Sequence, residues 1–209
     1  MEISVLQLGQ IGTNCYIFHN KDSAACGIID PGDQGDQLAV WLKKQGLEPE
    51  AVLLTHGHFD HILGIPGLRK QWPGLPVYCH PADLGEGETA GIFGQRVPTV
   101  RSFGNITTYK EGDVVSVAGT DVEVLETPGH TPGSVTLRAG DVLFTGDTLF
   151  AGSMGRTDLP GGDEAVIMRS LRRLGELEGD YQVLPGHEER STLERERQGN
   201  YCLRAAMGR

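Results

Sequence analysis

Leu53-Leu54-Thr55-His56-Gly57-His58-Phe59-Asp60-His61 is the stretch from which the fold can be read. Three histidines and an aspartate occupy positions 56–61, directly after the apolar run Ala51 to Leu54, which reads as a buried strand. An α-helix would set His56 and His58 about 200° apart, on opposite faces, where they could not share an ion. An extended turn leaving a strand lets imidazoles at alternate positions point the same way, with Asp60 and His61 curling round behind them. Neutral imidazole nitrogen and carboxylate oxygen are ligands that zinc and its first-row neighbours accept. A histidine-rich surface loop is the plain alternative, and the density of ligand types argues against it.

Working outward, the same device recurs three times. The apolar run Val122–Leu125 leads to Thr127-Pro128-Gly129-His130, Val142–Phe144 to Thr145-Gly146-Asp147, and Gln182–Leu184 to Pro185-Gly186-His187. Strands packed in sheets can bring such ends to one edge, and a glycine before each ligand lets the backbone turn sharply. Five of the seven histidines fall in this pattern. His19, at the end of an early strand, reads as a surface or hairpin residue. His80 reads as structural, with the rim of a cleft as the alternative.

Seven ligands exceed what one tetrahedral ion uses, so two divalent ions are expected. The turns suggest His56, His58 and His130 for the first, Asp60, His61 and His187 for the second, and Asp147 as a bridge. Zinc is the first choice, with iron or manganese also suited to such donors. Two cations about 3.5–4 Å apart can share a water and bring its pKa toward neutrality, giving a bridging hydroxide nucleophile. Asp60, besides its place as a ligand, is the candidate catalytic residue that orients the nucleophile's proton.

The rest of the pattern predicts strands over 3–8, 14–19, 25–30, 51–54 and 76–79, with a helix through Leu38, Trp41, Leu42 and Gln45 ending at Gly46. A short helix through Leu63, Leu68 and Arg69 follows the histidine-rich turn. From about Ala82 to Tyr109 the period dissolves; Ile92, Phe93, Val97, Phe103 and Ile106 read as anchors of a partly helical excursion overhanging a site, or of a solvent loop. Hairpins return over 114–125 and 135–144. Phe150 to Asp163 is a Gly-rich loop, Ile167, Leu171 and Leu174 share a helix face ending at Gly175, and Ser191 with Glu194 reads as a capping box for a last helix. No repeat or linker is visible, so one domain over 1–209 is the economical reading.

Composition narrows the function. The formal net charge of −10 repels phosphate backbones and anionic bilayers, so neither nucleic acid nor membrane is expected as a partner. No apolar run spans a bilayer and no secretory signal opens the sequence. The four cysteines (Cys15, Cys26, Cys79, Cys202) have no C-x-x-C spacing, as reduced thiols of a cytoplasmic protein would.

T-H-x-H-x-D-H at 55–61, T-P-G-H at 127–130, G-D at 146–147 and P-G-H at 185–187 resemble the metallo-β-lactamase-fold hydrolases, in that family's order. The resemblance implies an α/β (α+β) fold, a four-layer αββα sandwich with a dinuclear site at one edge, and its ligand roles fall on the seven residues named above. Within that superfamily, the loop Gly152 to Asp163 is similar to that of small bacterial glyoxalase II-like proteins. The tail Ser191-Thr192-Leu193 through Glu196 to Asn200-Tyr201 resembles theirs but lacks the family's proline, and Glu188 stands where glycine commonly follows the histidine.

The expected reaction is metal-assisted hydrolysis of a small-molecule thioester, S-acylglutathione or a related thiol ester. A thiolate leaves without a strong general acid, and none is evident beyond the ligands. The helical region that holds glutathione in full glyoxalase II enzymes has no counterpart in the twenty or so residues after His187, so weak activity on S-lactoylglutathione is expected. Arg156 is expected to pair with Asp158 or Asp163 rather than anchor substrate. A persulfide dioxygenase with one iron, a lactonase and a non-enzymatic metal-binding protein are the rivals; a β-lactamase is disfavoured by the lack of an export signal.

Overall fold

The structure, a computed structural model, describes residues 1–90 and 94–209. It opens with antiparallel strands β1 (Glu2–Leu8), β2 (Thr13–His19) and β3 (Ala25–Ile29). Strands β2 and β3 are apolar on both faces: Cys15, Ile17 and Ile28 turn one way, Tyr16, Phe18 and Ile29 the other. Strands of that kind must be covered on both sides. Helix α1 (Gly35–Gln45) packs Leu38, Ala39 and Leu42 against the Cys15 side and ends at Gly46, as its spacing predicts.

Strand β4 (Glu48–Leu53) then runs parallel to β3, and α2 (Phe59–Ile62), α3 (Ile65–Gln71) and β5 (Val77–Cys79) follow. The single helix expected through Leu63 is two. Leu63 N and Gly64 N turn toward the carbonyls of Gly32 and Pro31 (3.1 and 2.8 Å), docking the break onto the turn after β3.

The excursion after β5 is partly helical, as expected, but also carries short strands that were not. It holds 3-10 turns at Pro81–Asp83 and Val100–Phe103, a hairpin of β6 (Glu88–Ala90) with β7 (Arg96–Pro98), and β8 (Ile106–Thr108), which adds in parallel to β5. Strands of three residues are too short to show a period. Val100 is buried, with Phe103 and Ile106 packed against the same core; Ile92 and Phe93 lie outside the described residues.

The second half gives β9 (Val114–Val117), β10 (Thr120–Glu126), β11 (Val135–Ala139), β12 (Val142–Gly146), the small hairpin β13 (Leu149–Phe150) with β14 (Ser153–Met154), α4 (Glu164–Gly175), β15 (Gln182–Pro185), β16 (Ser191–Thr192), α5 (Leu193–Gly199) and α6 (Tyr201–Ala206). The sheets run β1-β2-β3-β4-β5-β8 and β16-β15-β12-β11-β10-β9. They face each other through Tyr16, Phe18, Leu53, Val124, Leu137 and Phe144, with the Tyr16 and Phe144 rings 5.4 Å apart. Leu171, Leu174 and Leu203 of α4 and α6 cover Leu143 and Val183 on the outer face. The layers are therefore helix, sheet, sheet, helix: the αββα sandwich. Because β3 is parallel to β4 and β12 to β15, the carboxyl ends of each pair lie together.

The tail corrects one expectation. Thr192, not Ser191, caps α5 by accepting from Arg195 N (3.2 Å). Ser191 instead lies in β16, and its hydroxyl donates to the buried carboxylate of Glu196. Glu196 also accepts from Gly152 N (2.7 Å), and the Asn200 amide donates to Phe150 O and Ser153 O (3.2 and 2.9 Å). The tail motif thus ties down the Gly-rich loop. Among the described residues no helix is long and apolar enough to cross a membrane.

Candidate metal centre

All seven residues singled out in the sequence meet at one edge of the sandwich. His56, His58 and His130 offer ring nitrogens within 4.8 Å of one another, and Asp60, His61 and His187 form a second such group. Asp147 lies between them. Its Oδ2 is 3.4 Å from His130 Nε2 and 3.5 Å from His187 Nε2, while Oδ1 is 3.5 Å from His61 Nε2.

Hydrogen bonds fix which ring atom each histidine presents. Asp30 Oδ2 and Arg156 O only accept, so His61 Nδ1–H donates to the first (2.9 Å) and His130 Nδ1–H to the second (2.7 Å). The Thr55 hydroxyl donates to Asp30 Oδ2 (2.6 Å), so at its 3.1 Å contact with His56 Nδ1 it accepts. Nε2 is thereby the ring atom that His56, His61 and His130 aim inward, and His130 Nε2 lies 2.8 Å from His58 Nδ1. Second partners of this kind are how ligating histidines are oriented.

Among the described residues, the buried side-chain polar atoms with no hydrogen-bond partner are His56 Nε2, His61 Nε2 and Asp147 Oδ1. Leaving each unsatisfied costs about 1–3 kcal/mol. All three belong to the cluster, and cations placed among these donors would satisfy them. The donor set fits metal ions.

Electrostatics agree with that use. Burial, reinforced by His61, His58 and His130, holds the His56 pKa well below its ordinary value; burial and His130 bring His58 down to about 4. Both rings are neutral, as ligands must be. Burial opposes the charged His61, but Asp60, Asp147 and Asp30 outweigh it and push its pKa up to about 10: among these carboxylates the ring holds a second proton, which a cation bound there would displace. Burial likewise opposes the charge on Asp60, and His61 and His187 overcome it, holding the carboxyl well below the usual range.

Glycine is required here for two separate reasons. Gly146, before Asp147, has φ of 47° and packs on Thr55, where an added Cβ would come within 2.3 Å of the hydroxyl. Gly186, before His187, is not in that conformation; its Cβ would lie 2.4 Å from Asp147 Oδ1, inside the cluster itself. Glu188 adopts φ of 67°, the left-handed region where a glycine is at ease, which accounts for the glycine common at that position; the glutamate here adopts the same backbone at a cost.

Several positioning residues were not singled out from the sequence. Asp30 accepts from Thr55 N (2.8 Å), the Thr55 hydroxyl and His61. It follows an apolar strand just as Asp147 does, so the same signal was available. Thr13 donates to Asp60 Oδ2 (3.2 Å), and Asn14 and Tyr16 donate to Pro185 O (3.0 and 2.7 Å), securing the approach to His187. Asp83 accepts from Gly57 N, Thr131 Oγ1 and Gly133 N, and nothing in the sequence marked it.

Arg156 pairs bidentately with Asp158 (2.7 Å for both bonds). His80 is structural: its Nδ1 accepts from Ala82 N at the start of a 3-10 turn and its Nε2 meets Glu126 Oε1 at 3.1 Å. His19 contacts Asn20 O, away from the cluster. Above the cluster opens a cleft of about 1040 Å³, walled by Phe59, Phe150, Met154 and Leu159 and overhung by Ala82, Asp83, Gly85, Thr89 and Thr99 of the excursion.

An αββα sandwich carrying a His/Asp metal-binding cluster at its sheet edge is the scaffold of a metal-dependent hydrolase class. The sequence signature of the Metallo-beta-lactamase superfamily matches residues 8–187, and the chain belongs to that family. It is similar to the hydroxyacylglutathione hydrolase GloC of Haemophilus influenzae, with 32% identity over 97% of this chain and 98% of that one. Among solved structures it is similar to the BLEG-1 B3 metallo-beta-lactamase, at a TM-score of 0.87 and 34% identity over 97% and 99% of the two chains. A di-iron-bound form of TTHA1623 aligns at a TM-score of 0.83 with 36% identity, over 95% and 98%.

Proposed function

We propose that this protein is a dinuclear metallohydrolase that cleaves small-molecule thioesters. His56, His58 and His130 would hold one divalent ion and Asp60, His61 and His187 the other, with Asp147, which lies between the two groups, a donor to both. The observation that carries this is the set of three buried, unpartnered donor atoms, His56 Nε2, His61 Nε2 and Asp147 Oδ1, all within one cluster. Zinc is the first choice; the di-iron form of TTHA1623 keeps iron in view. A bound ion pair supplies an activated water and polarises a carbonyl.

The chain's own residues do the rest. Asp60 Oδ2 lies 3.2 Å from both Thr13 Oγ1 and His187 Nε2. Asp60 is thus placed to accept a hydrogen bond at the centre of the cluster and to orient the nucleophile. Phe59, Phe150, Met154 and Leu159 give the cleft an apolar wall for the acyl or thiol portion. Of the other titratable side chains among the described lining residues, Asp83 is occupied by three donors and Arg156 by Asp158, which leaves the exposed Glu188. A leaving group that departs unaided suits this setting, and a thiol of pKa about 8.5 does so far more readily than an amine. Similarity to GloC supports the thioester assignment. A reducing, cytoplasmic setting suits the four free thiols.

β-Lactam hydrolysis is the second reading, favoured by the similarity to BLEG-1 over nearly the full length of both chains. Elemental analysis of the purified protein, coupled to a screen of thioesters, lactones and a chromogenic cephalosporin, separates the two. Two ions per chain with thioester turnover at least about tenfold above the rest is expected; cephalosporin as the best substrate sinks the thioester reading, and a single iron with oxygen uptake sinks both.

A further inference from the structure

We propose that Asp83 is a positioning residue for the His56/His58/His130 half of the centre, setting how tightly that half holds its ion; this rests on the two-ion reading above. The carboxylate stands where two loops meet. Its Oδ2 accepts from Gly57 N (2.9 Å), the residue between His56 and His58, and from Thr131 Oγ1 (2.6 Å), the residue after His130. Its Oδ1 accepts from Gly133 N (2.7 Å). One side chain thus clasps the loop that carries two of the ligands to the loop that carries the third.

The close fit confirms that the loops are set against this carboxylate. An added Cβ at Gly133 would fall 2.5 Å from Asp83 Oδ1, and one at Gly57 would fall 2.3 Å from Asp83 O. On the inner side of the same two loops, His58 Nδ1 and His130 Nε2 are 2.8 Å apart. A shift between the loops changes that separation directly, because it is the separation of two donors to one ion.

Asp83 is itself held in place. Its N–H donates to His80 O (3.0 Å), His80 Nδ1 accepts from Ala82 N, and His80 Nε2 meets Glu126 at the end of β10, the strand that leads to His130. No hydrogen bond ties Asp83 to Asp60, His61 or His187 among the described contacts. Those ligands are braced by Thr13, Asp30, Asn14 and Tyr16 instead. Loss of Asp83 should therefore act on one ion and spare the other.

The test is cobalt titration of the metal-free full chain, read by visible absorption and calorimetry, for wild type, Asp83→Ala, Thr131→Val and His58→Ala. Wild type is expected to bind two ions. Asp83→Ala should weaken one of them about 10- to 100-fold, the range for losing an outer-shell partner, and leave the other within about twofold. On a His58→Ala background it should add little, since the affected half is already broken. Thr131→Val removes one of the three donors to the carboxylate, together with the hydroxyl contact to Ser134 (2.7 Å), and leaves the Gly57 and Gly133 N–H donors in place, so it should give a smaller shift of the same ion; this variant decides the matter if Asp83→Ala does not fold. Two ions in wild type with unchanged affinities in the variants, or with both ions weakened alike, overturns the role of Asp83. Fewer than two ions in wild type overturns the two-ion reading beneath it.

Discussion

The two halves of the proposed centre offer the same donor chemistry but are braced from different material. Asp60, His61 and His187 are secured from strands: Thr13, Asn14 and Tyr16 from β2, and Asp30 from the end of β3. His58 and His130 are secured from irregular segments, by Asp83 on a 3-10 turn and by the Arg156 carbonyl in the Gly-rich loop. Strand braces are locked into a core on both faces, whereas loop braces depend on a few hydrogen bonds. His56, whose Nδ1 meets the Thr55 hydroxyl that Asp30 holds, shares the strand bracing, so the contrast is between His58 and His130, set by loops, and the half around Asp60, His61 and His187, set by the fold.

Asp147 belongs to neither half, and its loss should be the largest effect. Asp147→Ala removes the carboxylate that lies within 3.5 Å of His130, His187 and His61. Metal content should fall from two ions to below one, and turnover should fall by more than the about 100-fold that an outer-shell loss costs. Equal metal content in variant and wild type would break the picture of two halves joined by a bridge.

Asp30→Ala is the counterpart of the Asp83 test on the strand-braced half. It leaves Thr55 N, the Thr55 hydroxyl and His61 Nδ1 without their acceptor in a fully buried place. Removing one member of a buried charged network costs about 3–5 kcal/mol, so urea denaturation should show a large stability loss. Cobalt titration should show the ion opposite to that lost in Asp83→Ala as the one most weakened. If both variants lose the same ion, the division between strand-braced and loop-braced halves is wrong.

Cysteine labelling sharpens the comparison at smaller scale. Cys15 follows Asn14 on β2, Cys79 immediately precedes His80, and both are buried, as is Cys26. Burial pushes the Cys26 thiol up to about 12 and the other two well above the ordinary range. At pH 8 a thiol reagent should therefore react with one residue per native chain, the half-exposed Cys202, and with four after denaturation. Loosening by Asp83→Ala should speed labelling of Cys79, and loosening by Asp30→Ala that of Cys15, identified by peptide mass. The same shifts fix a pH trend. A thiol raised in the folded state stays protonated while the unfolded chain begins to lose its proton near pH 8.5–9, so stability falls above that pH by about 1.4 kcal/mol per unit per thiol. A urea midpoint that held level from pH 9 to 11 would contradict those burials.

The strand-and-ligand framework was legible because each group of ligands follows an apolar run, and His130, Asp147 and His187 each follow a glycine as well, a local pattern that survives in one dimension. What escaped notice follows the split between the halves. Asp30 carried the same signal as Asp147, yet it stands in Asp30-Pro31-Gly32-Asp33, which also reads as a strand stop. Asp83 had no such signal: its partners Gly57 and Gly133 lie 26 and 50 residues away, and backbone N–H groups leave no mark on side-chain identity. The short strands of the excursion are invisible for a related reason, since three residues give neither a period nor a length. Ser191 was misread as a cap because Thr192, beside it, can do the same, and only the buried Glu196 decides between them.

His19→Ala is the smallest predicted effect and tests how far bracing reaches along β2. His19 lies at the opposite end of that strand from Thr13, about 20 Å away at about 3.3 Å per residue. Its ring meets Asn20 O at 3.0 Å and Glu2 at 3.7 Å, both at the surface end of the β1–β2 pair. Truncation there should change stability by less than about 0.5 kcal/mol, with metal content and turnover unaltered within error. Strands transmit position because both faces are packed, and Tyr16 and Phe18, gripped between the sheets, stand between His19 and the braces at Thr13 and Asn14. A measurable drop in metal content in His19→Ala would mean that β2 slides as a rigid rod rather than being pinned midway. The strand-braced half would then be no better fixed than the loop-braced one.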